Sequence, residues 1–123
     1  MNKFTNYWRT RFLSFGYAFQ GMAAFLRSEP HARIHALATV VVVALGCYVK
    51  LPALQWVLLL LVIGMVWVTE MINTVVEKIM DHVAPERHPR IKWIKDVAAG
   101  AVLVSAIIAV IAGVLIFFPY LQR

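Results

Sequence analysis

Negative charge is scarce in this chain of 123 residues: six acidic side chains stand against twelve basic ones. There is one cysteine, Cys47, inside an apolar run, so an internal disulfide is excluded and a small packing residue is the reading. The first thirty residues contain no compact apolar stretch followed by a small-residue cleavage site. No secretory signal is therefore expected, and the N-terminus is expected to stay in the cytosol. Charge is missing altogether from Val97 to Leu121. What remains is apolar: 62 % of the residues are hydrophobic and the mean hydropathy is +0.76. So small and apolar a chain reads as an integral membrane protein, with residues 1–123 forming a single domain without repeat or linker.

The net charge of +6 is distributed as a topology signal. Lys3, Arg9, Arg11, Arg27 and Arg33 precede the first apolar run, and Lys50 stands alone after it. Lys78, Arg87, Arg90, Lys92 and Lys95 form a second basic group, and Arg123 ends the chain. Basic-rich and basic-poor segments alternate across apolar spans, as the positive-inside rule requires. The charge thus marks orientation and anionic headgroups, and nucleic acid is not an expected partner.

Residues 4 to about 28 read as an amphipathic surface helix, with Phe4, Trp8, Phe12, Phe15, Phe19, Met22 and Leu26 recurring every three or four positions. Ser28-Glu29-Pro30 is a break and restart. The expected fold is all-α: this surface helix plus three transmembrane helices at about 32–50, 53–83 and 95–121. Pro85 and Pro89 are expected to keep 84–94 as a loop. The N-terminus and that loop are placed in the cytoplasm, the C-terminus outside, and the bilayer is expected to be the bacterial inner membrane. Trp8, Trp56, Trp67 and Trp93 fit interface anchors. Ser105, inside the third span, is expected to bond its own helix or a neighbour.

All six acids then fall at the cytoplasmic side or its membrane boundary. Four residues of WVTEMINTVVEKIMDH form one stripe: Asn73, Glu77 and Asp81 return to within roughly 60° of Glu70 at about 100° per residue. Each ionised carboxylate at depth costs on the order of 3 kcal/mol, so a cation, basic neighbours or protons must compensate. Glu77, nearer the cytoplasm, suits a Mg²⁺ arriving with nucleotide phosphates. Glu70, deeper, suits acceptance of a proton from a lipid alcohol. Asn73 between them can donate and accept hydrogen bonds. The basic loop with Lys95 offers countercharge to phosphates, and phosphoryl transfer depends mainly on positioning and charge neutralisation. The bland alternative is an ion-paired face that fixes helix register with Arg33 or Lys95. Asp96 likewise suits an ordinary helix start. No spacing of His35 or His82 makes a zinc site.

FGYAFQG, SEPHARIH, EMINTVVEKIMD, PERH and KDVAAGAVL together cover nearly the whole chain. On these motifs the sequence resembles the small prokaryotic diacylglycerol kinase / undecaprenol kinase family of membrane enzymes. The resemblance implies a homotrimer with active sites shared between chains, Mg-ATP as phosphoryl donor and a membrane lipid alcohol as acceptor. It implies Glu70 as catalytic base, Glu29 and Glu77 as metal ligands, and Asn73 and Asp81 in support. Tyr17, Glu29, Glu77, Glu86, Arg87, His88, Lys95 and Asp96 fall where the family contacts ATP, and Phe19, Arg33 and His35 fall in the lipid-contact region. Thr10 stands where some members carry an arginine, and Gln20 where others carry a charge. The Arg-Ile-His run and the Pro-Glu-x-His loop look more like the undecaprenol kinase branch. Two other functions compete: a small oligomeric ion-coupled transporter using Glu70, and a non-catalytic membrane scaffold. The transporter would need polar groups continuing toward the outer face, where the second and third spans are apolar.

Overall fold

The computed structural model describes residues 2–123, and they form four helices: α1 (Lys3–Ser28), α2 (Pro30–Val49), α3 (Ala53–Val83) and α4 (Pro89–Leu121). Packing divides the chain into two compact units, Met1–Ala36 and Leu37–Arg123. In the first, α1 leaves its aromatic residues exposed: Phe12, Phe15 and Phe19 are all more than 60 % accessible. Phe4 and Tyr7 meet Trp8 edge-on, and the Arg11 guanidinium lies over the Tyr7 ring. An apolar, aromatic face of this kind suits a lipid interface. The helix ends at Glu29, whose extended backbone and N–H bond to the Phe25 carbonyl form the break before Pro30.

In the second unit α3 and α4 pack antiparallel. Three side-chain ties fix their register: Gln55 with Tyr120, Thr69 with Ser105, and Asp81 with Lys95. Residue numbers fall along α4 as they rise along α3. The core lies at the end near the α2–α3 turn, where Leu51, Leu59 and Ile116 are buried against Val42, Trp56, Ile63 and Phe117.

That turn closes α2 in a Schellman arrangement. The Leu51 N–H reaches the Gly46 carbonyl and the Lys50 N–H reaches the Cys47 carbonyl, with Lys50 left-handed at φ 57°. Gly46 has no side chain because a Cβ there would lie 2.8 Å from the Trp56 ring. Lys50 occupies a backbone region that costs an L-residue about 1 kcal/mol, a cost glycine does not bear. Lys50→Gly is therefore expected to raise stability by about 0.5–1 kcal/mol, read as a higher thermal midpoint in detergent.

Three of the helices, α2, α3 and α4, are long and apolar enough to cross a membrane. Only 11 %, 17 % and 11 % of their most apolar windows are buried, so lipid or further chains must cover the rest. The 20 residues of α2 span about 30 Å, one hydrocarbon thickness. With 31 and 33 residues, α3 and α4 reach about 47 and 50 Å and overshoot it. The tight α2–α3 turn pins one end, so the excess emerges at the α3–α4 connection. Glu70, about 26 Å along α3 from Ala53, then sits close to the boundary of the hydrocarbon.

The α3–α4 connection is shorter than the loop expected over 84–94: α4 already begins at Pro89. Pro89 does not break the helix; it occupies the first helical position, where its missing N–H is not needed. Trp67 also departs from an anchoring role. Its indole N–H donates to the Thr39 hydroxyl at 2.9 Å, tying α3 to α2 inside the span.

Candidate functional site

The polar stripe of α3 changes character with depth. Glu70 is buried, only 7 % exposed, in the apolar part of the helix. Asn73 and Glu77 are half-buried, and Asp81 is exposed. Asn73 is almost one turn beyond Glu70, and Glu77 one turn beyond Asn73, so the three share a face. Asn73 Oδ1 is buried without a hydrogen-bond partner among the described residues. A buried acceptor left open costs free energy, and a bound donor or cation removes that cost.

Beyond the stripe an open concavity of about 610 Å³ forms where α3 ends and α4 begins. Asp81, Glu86, Arg87, His88, Lys95 and Asp96 all line it, so five of the residues singled out for ATP are brought together with the last residue of the stripe. Lys92 lines it as well and was not singled out from sequence. Its signal was the basic run from Arg87 to Lys95, whose i, i+4 spacing puts Lys92 and Asp96 on one face. They are ion-paired at 2.5 Å. Lys95 bridges to Asp81 across the two helices, which makes the bland reading of that pair part of the observed structure. His88 caps α4, its Nδ1 accepting the Arg90 N–H at 3.1 Å. The ring is thereby held at the rim.

Three cations, Arg87, Lys92 and Lys95, gather at this rim beside the first turn of α4, where Pro89 has no N–H and those of Arg90 and Lys92 already bond to His88. Both lysines are already engaged with carboxylates. An anion entering here competes with Asp81 and Asp96 for them, so the wall is charged but neutralised at rest.

Tyr17, Phe19, Glu29, Arg33 and His35 lie in the Met1–Ala36 unit. Tyr17 and Phe19 are exposed, and Glu29 is half-buried with one carboxylate oxygen accepting from the Ser28 hydroxyl at 3.3 Å. Arg33 donates through its guanidinium to the carbonyls of Leu26 and Arg27, at 3.2 and 2.6 Å. It satisfies the last turn of α1, a structural task that its sequence position did not reveal. Among the described residues no three His, Cys, Asp or Glu side chains gather into a metal-binding group.

A divalent cation carried by a nucleotide needs only one or two protein oxygens beside the phosphates. Asn73 Oδ1, buried and open, and the Glu77 carboxylate one turn away are hard oxygen donors of that kind. The residues present fit Mg²⁺ by donor chemistry.

Comparison with known proteins places the chain in a family. The undecaprenol kinase of Bacillus subtilis (strain 168) is 39 % identical over 110 residues, covering 89 % of each chain. The diacylglycerol kinase of Synechocystis sp. is 35 % identical over 108 residues, 87 % of this chain and 62 % of that protein. The diacylglycerol kinase of Escherichia coli (strain K12) is 28 % identical over 105 residues, 85 % of this chain and 86 % of that one. Residues 16–117, which take in the helix break, the whole α3 stripe and the charged concavity, match the profile of one family. The chain belongs to the prokaryotic diacylglycerol kinase family.

Proposed function

We propose that this protein is a lipid kinase that transfers the γ-phosphoryl group of Mg-ATP to the hydroxyl of a membrane lipid alcohol at the cytoplasmic face of the inner membrane. The observation that carries the reading is the buried carboxylate of Glu70 at the hydrocarbon boundary, on the same helix as a charged concavity that opens beyond it. A lipid hydroxyl presents itself at that boundary, and nucleotide phosphates arrive from the aqueous side.

In this reading Glu70 accepts the proton of the lipid hydroxyl as its oxygen bonds to the γ-phosphorus. The bond to the bridging β–γ oxygen breaks, and ADP leaves with the electron pair. Bound Mg²⁺ would neutralise the charge of the transferring phosphates, held by Glu77 and Glu29 with Asn73 in support. Arg87 and Lys95 hold the phosphates. Tyr17, Glu86, His88 and Asp96 complete the nucleotide contacts, and Asp81 holds Lys95. Phe19, Arg33 and His35 border the lipid. Assembly as a homotrimer would bring these groups from different chains into shared sites and cover the apolar faces of the spans. The likeness to a protein named undecaprenol kinase, together with the Arg-Ile-His run, favours undecaprenol over diacylglycerol as acceptor.

The test is a competition assay. Purified protein in vesicles receives both alcohols, Mg²⁺ and γ-labelled ATP, and label is expected mainly in undecaprenyl phosphate. No lipid-dependent transfer to either alcohol would overturn the reading.

A further inference from the structure

Within one turn of Glu70, α3 is tied to both of its neighbours. Three residues before the carboxylate, Trp67 donates to Thr39 of α2. One residue before it, the Thr69 hydroxyl meets the Ser105 hydroxyl of α4 at 2.7 Å, and Ser105 is only 2 % exposed.

Proton counting makes the second tie directional. Thr69 Oγ1 lies 2.9 and 3.1 Å from the carbonyls of Met65 and Val66. Ser105 Oγ lies 3.0 and 2.9 Å from those of Ala101 and Val102. Two hydroxyls own two protons. If both donated to their own backbone, two oxygens 2.7 Å apart would meet with no proton between them. One hydroxyl therefore donates across the interface, and the other passes its proton to its own helix.

We infer that Thr69 and Ser105 are positioning residues that lock the rotation of α3 against α4, and with it the aim of the Glu70 carboxylate. Successive residues differ by about 100°, so a tie at Thr69 leaves Glu70 off the α4 contact line yet fixes its bearing. A carboxylate about 6 Å from the helix axis moves about 1 Å for every 10° of rotation. A misplacement of about 1 Å can cost about 10²-fold in rate. Interhelical hydrogen bonds in membranes contribute only modestly to association, so loss of this one separates aim from assembly. The inference rests on Glu70 as the proton acceptor.

The test uses the full chain in vesicles, exposed to a hydrophobic carbodiimide that modifies membrane carboxyls, with adduct at Glu70 read by mass spectrometry. Thr69→Val and Ser105→Ala are expected to change the labelling rate at Glu70 at least about threefold. They should also lower kcat about tenfold at unchanged KM for ATP. Thr69→Ser, which keeps the hydroxyl, should restore both readouts. The double variant should be no worse than either single one. Glu70→Gln gives the unlabelled baseline. A pair that merely glues the helices would lower the thermal midpoint while leaving the labelling rate and kcat at parent values, and that result overturns the inference. If labelling shifts as expected but the parent transfers no phosphate to any lipid alcohol, the positioning role stands and the kinase reading falls.

Discussion

Replacing Glu70 by glutamine is expected to lower turnover by about 10²–10⁴-fold, the range a positioned general base supplies. Glutamine keeps the volume and one acceptor oxygen but cannot take the proton of a lipid hydroxyl. Glu70 is buried in the apolar part of α3, and glutamine fills nearly the same space, so the helices should stay assembled while activity collapses. Nucleotide binding, measured on the same preparation, should be retained, since the concavity lined by Arg87 and Lys95 lies beyond the substituted position. Parent-rate turnover in this variant would remove Glu70 from the reaction.

Glu77→Gln should fail differently. Glu77 is half-buried, one turn from the open Asn73 oxygen, and loses a formal charge on substitution. The Mg²⁺ concentration for half-maximal rate is expected to rise by at least the about 10–100-fold that supporting residues of a metal site command. Excess Mg²⁺ should recover part of the turnover. Glu70→Gln should show no such recovery, and the contrast assigns the two carboxylates separate roles. Equal insensitivity to Mg²⁺ in both variants would place Glu77 outside the metal's surroundings.

Much of this was written along the chain. Helical period put Glu70, Asn73, Glu77 and Asp81 on one face, and α3 carries them as a single uninterrupted helix. The boundaries of α1, α2 and α3 follow from Pro30, Pro52 and the end of apolar periodicity. The start of α4 was misread because proline breaks a helix in its interior and favours its first turn, and only the His88 cap distinguishes the two for Pro89. Trp67 was misread because hydropathy reports that a tryptophan belongs in or near the membrane but not which hydroxyl its N–H will find. Thr69 gave no sequence signal beyond being a polar residue in an apolar helix.

Sequence alone determined that the chain is helical and membrane-spanning, which family it belongs to, and which carboxylates line up, because hydropathy and helical period act over a few neighbouring residues. Tertiary structure decided which polar groups meet across helices. Ser105 found Thr69, Lys95 found Asp81, and Asn73 was left with an open oxygen. Those outcomes depend on the rotation and register of α3 against α4. Ångström-scale packing sets both, and no local pattern encodes it.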